Sequence, residues 1–146
     1  MSTQLLILCL ALGGSNITVS RRELTARALE ASRISTGMFH TCAIRANNRA
    51  ECWGLNHYGQ TSVSPDVVVE YKQISAGHSH SCAIRKDNSL AECWGSNVFG
   101  ESTVAHAHPY SRISAGRWHT CAVREDNAHA ECWGNTAFAT FFEGGF

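Results

Sequence analysis

An alternation of apolar and polar positions recurs three times along this chain. His40-Thr41-Cys42-Ala43-Ile44, His80-Ser81-Cys82-Ala83-Ile84 and His119-Thr120-Cys121-Ala122-Val123 are short alternating segments rich in strand formers. Each runs into a polar, turn-prone cluster and then into Ala-Glu-Cys-Trp-Gly, a second short strand ended by glycine. The pattern predicts three β-hairpins. In the second and third, Asp87-Asn88 and Asp126-Asn127 suit a two-residue turn, because Asp and Asn tolerate positive φ. The first is one residue shorter, with Ala46-Asn47-Asn48 at its tip.

Turns centred at these positions fix a register. They set Cys42 opposite Cys52, Cys82 opposite Cys93 and Cys121 opposite Cys132. Opposed residues of an antiparallel pair lie ~4.5–5.5 Å apart at Cα, which a disulfide accepts. The same register opposes Thr41 to Trp53, Ser81 to Trp94 and Thr120 to Trp133. It leaves Arg45, Arg85 and Arg124 diagonal to Glu51, Glu92 and Glu131, within reach of long side chains and read as structural pairs.

Beyond the hairpins, whole segments repeat, and the first cysteines recur at intervals of 40 and 39 residues. The chain divides accordingly into repeat 1 (34–73), repeat 2 (74–112) and an incomplete repeat 3 (113–135), followed by an aromatic tail (136–146) with Phe138, Phe141, Phe142 and Phe146. Comparison of the copies separates framework from variable positions. The pairs after each Ile-Ser-x-Gly change: Met38-Phe39, His78-Ser79 and Arg117-Trp118. So do the stretches after Trp-Gly, which carry His57-Tyr58 and Val98-Phe99. Stacked repeats present equivalent loops on a common rim. Met38, Phe39, His57, Tyr58, His78, Phe99, Arg117 and Trp118 are therefore the candidate binding rim, rich in types that dominate interfaces. Packing between repeats is the competing reading.

Composition changes this picture in three places. Twelve Lys+Arg balance twelve Asp+Glu, which argues against a basic nucleic-acid clamp or a charge-driven membrane binder. Seven cysteines, six of them in evenly placed pairs, fit an oxidising compartment better than the cytosol. Leu5–Leu12 is an unbroken apolar run with a Gly13-Gly14-Ser15 exit. It is too short to span a bilayer, so residues 1–15 are read as a signal peptide, with a strand from a truncated preceding blade as the alternative. Residues 16–33 form a lead-in.

Ile-Ser-Ala-Gly-x-x-His-Ser/Thr-x-Ala-Ile/Val, then Asp-Asn, then Trp-Gly-x-Asn-x-x-Gly, resembles the regulator-of-chromosome-condensation repeat. The Cys-Ala and Cys-Trp-Gly variant is similar to the form in secreted and surface-exposed members. The resemblance covers residues 31–135 and implies a β-propeller with one four-stranded blade per repeat. Three repeats are fewer than the usual 4–8 blades of a closed ring, so the expectation is an all-β, partial propeller forming an open arc. Family members act as exchange factors for a small GTPase, as receptor ectodomains and as interaction scaffolds, and fold does not choose among these.

Site chemistry follows the repeats. His40, His80 and His119 each stand two residues before a cysteine, so a zinc reading exists; it lacks knuckle spacing and offers three ligands per copy. Disulfides are the favoured reading, with metal and free buried thiols behind. The histidines are read as turn residues bonded to backbone, and Gly37, Gly77 and Gly116 as turn glycines. No phosphate loop or catalytic triad occurs. The expectation is a non-enzymatic, extracytoplasmic scaffold that binds a protein partner, with no cofactor, no metal, no nucleic acid and no membrane span. Self-association or additional repeats would complete it. A guanine-nucleotide exchange factor and a fragment without independent activity are the alternatives.

Overall fold

The hairpin register positions everything else in this molecule. A computed structural model of the chain describes residues 33–64 and 68–137. Nine strands follow in order: β1 (Ile34–Thr36), β2 (His40–Ile44), β3 (Ala50–Gly54), β4 (Tyr71–Ala76), β5 (His80–Arg85), β6 (Ala91–Gly95), β7 (Tyr110–Ala115), β8 (His119–Arg124) and β9 (Ala130–Gly134). They form three antiparallel sheets, β1-β2-β3, β4-β5-β6 and β7-β8-β9. The described residues are an open, partial propeller of three blades. The signal-peptide assignment and most of the lead-in and aromatic tail lie outside the described residues.

Each outer hairpin pairs Cys42 with Cys52, Cys82 with Cys93 and Cys121 with Cys132, with Thr41, Ser81 and Thr120 opposite Trp53, Trp94 and Trp133. Three disulfides join the cysteine pairs, each with Cα atoms 4.1 Å apart. Each closes a short loop and contributes about 3 kcal/mol on a loop-entropy argument. The diagonal ion pairs form: Arg45 to Glu51, Arg85 to Glu92 and Arg124 to Glu131.

The hairpin tips differ from the expected two-residue turns. Arg85 N donates to Leu90 O and Arg124 N to His129 O, so the loops are four residues long about the same centres. The residues at positive φ are Asn48, Ser89 and Ala128, one position beyond the Asp-Asn pairs of the longer copies. Asp87 and Asp126 instead fork onto Arg85 and Arg124. Asn88 Oδ1 accepts Leu90 N at 3.0 Å, and Asn127 Oδ1 accepts His129 N at 3.0 Å. The aspartate therefore serves the arginine, and the asparagine closes the turn by a side-chain bond.

Among the described residues each blade has three strands, where the family resemblance implied four. After Gly54 the chain folds on itself because Asn56 Oδ1 accepts Thr61 N at 2.9 Å and Asn56 Nδ2 donates to Ser62 Oγ at 3.2 Å. Asn97 does the same for Ser102 N (3.1 Å) and Thr103 Oγ1 (2.8 Å).

Two apolar clusters join successive blades. Cys42, Ile44, Tyr71, Ile74, Ala76 and Ala83 form one; Cys82, Ile84, Tyr110, Ile113, Ala122 and Trp133 form the other. Burying each Ile contributes roughly 1.5–3 kcal/mol. At the inner strands the backbones nearly touch. Met38 N donates to Gly77 O (3.3 Å) and His78 N to Gly116 O (3.1 Å). A Cβ on Gly37 would lie 2.3 Å from Gly77 O, and one on Gly77 would lie 2.4 Å from Gly116 O. These glycines are therefore required by close approach of blade to blade, not by turn conformation as the sequence suggested.

Candidate interaction rim

β2 runs away from the β1–β2 turn and β3 returns to it, so the two variable segments of each repeat emerge at one end. A backbone bond ties them: Leu55 N to Phe39 O, Ser96 N to Ser79 O and Asn135 N to Trp118 O. The hairpin tips lie at the other end. Thr36–Met38, Ala76–His78 and Ala115–Arg117 converge on a shallow depression of about 380 Å³ shared by all three blades. Beside it, Tyr58, His78, Val98, Phe99, Arg117 and Trp118 line a groove of about 230 Å³.

The rim residues are thus brought together, with two distinctions. Met38, His78 and Arg117 face the depression, and Tyr58, His78, Phe99, Arg117 and Trp118 share the groove. His57 is exposed and lines neither. Phe39 meets the His78 ring edge-on at 6.4 Å, and Phe99 meets Trp118 at 5.8 Å. Those contacts bridge neighbouring blades, yet Phe39 stays 57% exposed and Phe99 46%. Packing between blades and display to solvent are both properties of the same rings. The Arg117 guanidinium lies 4.3 Å above the Trp118 ring, which holds that cation at the groove wall.

Beneath the rim lies a buried polar layer that sequence reasoning missed. His40 Nε2 is 2.8 Å from Ser81 Oγ, and His80 Nε2 is 2.8 Å from Thr120 Oγ1. Ser81 Oγ donates to Gln60 O and Thr120 Oγ1 to Glu101 O, each at 2.9 Å. With its one proton committed, each hydroxyl accepts from the imidazole, which fixes both rings as Nε2–H. The recurrent histidine is therefore the first residue of a strand and not a turn residue, and His40 and His80 each bond the next blade's hydroxyl. His80 Nδ1 and His40 Nδ1 are buried without a partner. Burial lowers both imidazole pKa values, that of His80 to about 4.

Gln60 and Glu101 complete the layer and support the rim loops. Gln60 Oε1 accepts Tyr58 N at 2.9 Å; Glu101 Oε2 accepts Phe99 N at 2.7 Å and Glu101 Oε1 accepts Ser96 Oγ at 2.6 Å. Burial pushes the Glu101 carboxyl up, but the Ser96 and Phe99 bonds outweigh it and hold the group below its usual range. Trp94 and Trp133 donate Nε1–H to the carbonyls of Gln60 and Glu101 (2.9 and 3.1 Å). The signal was present in sequence as Gly59-Gln60 and Gly100-Glu101 at one offset in two repeats.

The family model described as "Regulator of chromosome condensation (RCC1) repeat" matches residues 31–60 and 71–101. These two segments are thus regulator-of-chromosome-condensation repeats. No curated protein matches it in sequence. Among solved structures, this repeat protein is similar to the ectodomain of the Physcomitrella patens receptor kinase CR4, with 30% identity and a TM-score of 0.63, over 70% of this chain and 28% of that one. The ectodomain of the Arabidopsis thaliana receptor kinase ACR4 has 23% identity and a TM-score of 0.64, over 77% and 39%. Yeast RCC1 (Prp20), solved bound to Kap60, has 22% identity and a TM-score of 0.61, over 70% and 32%. The chain thus spans between 28% and 39% of the length of these structures. Among its described residues, no helix is long and apolar enough to cross a membrane.

Proposed function

We propose that this repeat protein is a non-catalytic, extracytoplasmic scaffold that binds a protein partner through the rim. The observation that carries the reading is the division of labour between copies. The histidines, hydroxyls, cysteines and Arg–Glu pairs recur as framework, while five of the eight variable rim residues, Tyr58, His78, Phe99, Arg117 and Trp118, meet in one groove. Tyr58, Phe99, Arg117 and Trp118 are large, rigid or cationic types that anchor interfaces. The backbone of Tyr58 and Phe99 is pinned by Gln60 and Glu101, which limits the ordering cost of binding. Three disulfides support an oxidising location, and the likeness to a receptor-kinase ectodomain points the same way. Trp53 is 50% exposed whereas Trp133 is 5% exposed, which makes the outer face of the first blade the place where further repeats or a second copy would add.

The experiment is site-specific photo-crosslinking of the intact, oxidised chain in extracellular fluid from its source. A photo-reactive residue at Val98, in the groove, is expected to yield a discrete adduct with another protein. The same residue at Arg49, at the hairpin end, is expected to yield none. Equal adducts from both positions would contradict the rim as the binding surface.

A further inference from the structure

The hairpin end of the third blade carries a cluster that its own repeat does not explain. The Glu131 carboxylate is held by Tyr110, whose hydroxyl donates to Oε2 at 2.8 Å, and by Arg124, whose Nη1 donates to Oε1 at 3.2 Å. The second blade builds the same triad: Tyr71 donates to Glu92 Oε2 at 2.6 Å and Arg85 to Glu92 Oε1 at 2.8 Å. That triad is framework. What changes is the linker leading into it. Before Tyr71 the chain reads Val67-Val68-Val69-Glu70; before Tyr110 it reads His106-Ala107-His108-Pro109. Val69 packs against the first apolar cluster. His106 and His108 stand at the aligned positions with 62% and 37% of their side chains exposed.

Both imidazoles turn a nitrogen to the same carboxylate. His106 Nδ1 is 3.5 Å from Glu131 Oε2 and His108 Nε2 is 3.9 Å from Glu131 Oε1. One ligand atom from each residue lies within 4.8 Å of the others. Both separations exceed the usual hydrogen-bond range. Tetrahedral zinc with ligands at about 2.0–2.1 Å holds its donors ~3.4 Å apart, so small ring rotations would close the cluster on an ion.

We infer that His106, His108 and Glu131 bind a divalent transition-metal ion of the zinc class, with solvent in the remaining position. Two imidazoles and one carboxylate suit borderline metals and not calcium or magnesium, which take oxygen ligands. Tyr110 and Arg124 orient the carboxylate from behind while each oxygen keeps a second lone pair for the metal. The Arg124 charge opposes a cation, but Asp126, forked onto Arg124, offsets it, and Glu131 supplies the negative charge. The site lies at the end of the blade away from the rim, so an ion there would brace the β6–β7 linker against β9 without entering the binding groove.

The test is calorimetric titration of zinc chloride into the intact, oxidised chain, with thermal unfolding followed in parallel. The expected result is one zinc per chain and a raised unfolding midpoint. His106→Val with His108→Val, which restores the first repeat's valines, is expected to weaken binding at least about 10-fold and abolish the zinc-dependent rise in the midpoint. His57→Val, at the rim, is expected to change neither. Should the double variant lose its unfolding transition, His106→Val alone, at the more exposed position, takes the same criterion. Undiminished zinc binding by the valine variants, or no saturable binding by the unaltered chain below about 100 µM zinc, would overturn the assignment.

Discussion

His80 donates Nε2–H to Thr120 Oγ1 across the blade boundary at 2.8 Å, and Thr120 passes its own proton to Glu101 O at 2.9 Å. Both side chains are fully buried. The bond is thus a polar clasp between second and third blades, repeated between first and second by His40 and Ser81. Thr120→Val keeps the shape but leaves the imidazole N–H without an acceptor. Leaving a buried donor unpaired costs about 1–3 kcal/mol. Thr120→Ser, which copies Ser81, keeps the acceptor. Denaturant unfolding of both variants is expected to show a lowered midpoint for valine and a much smaller change for serine.

The same clasp sets a pH dependence. Burial depresses the His80 pKa to about 4, below the ordinary 6.5, and that of His40 moves in the same direction. Between those values the unfolded chain binds more protons than the folded one, so stability rises with pH there. The contribution is fully present above about 6.5 and is lost as pH falls toward 4, by roughly 3 kcal/mol for His80 alone. Its structural cause is the absence of an acceptor for a second ring proton at Nδ1. Unfolding free energy measured from pH 7 to 4.5 is expected to fall, and the slope is expected to shrink in His80→Gln.

Ala128 occupies positive φ (57°) at the third hairpin tip, where the first tip has Asn48 (62°). Left-handed backbone costs a β-carbon residue roughly 1–2 kcal/mol, and glycine escapes that cost at some expense in unfolded-state entropy. Ala128→Gly is expected to stabilise the protein by about 1 kcal/mol, read as a raised thermal midpoint.

The blades were legible in the sequence because period-2 patterning and turn position together determine a register. Cys82 opposite Cys93 and Thr120 opposite Trp133 follow from the hairpin centre alone. The turn type was not legible, because two- and four-residue loops with one centre give the same register and differ only in which residue takes positive φ. The His80–Thr120 clasp was hidden for another reason: its partners are separated by 40 residues, and only the stacking of blades joins them. Gly77 looked like a turn glycine because the Gly116 carbonyl that requires it belongs to the next blade. His106 and His108 were passed over because they lie in a linker that breaks the repeat. The breaks, where copies diverge against a constant frame, are where candidate chemistry concentrates in this chain.

The scaffold account is tested most directly by the affinity of the intact, oxidised chain for the protein crosslinked at Val98. Phe99→Ala and Trp118→Ala remove exposed rings of the groove wall, while Arg49→Ala alters the hairpin end. The account predicts that at least one ring variant binds about 30-fold more weakly, the loss expected of an interface anchor, and that Arg49→Ala binds as the unaltered chain does. Unchanged affinity in both ring variants, or a loss confined to Arg49→Ala, would contradict it.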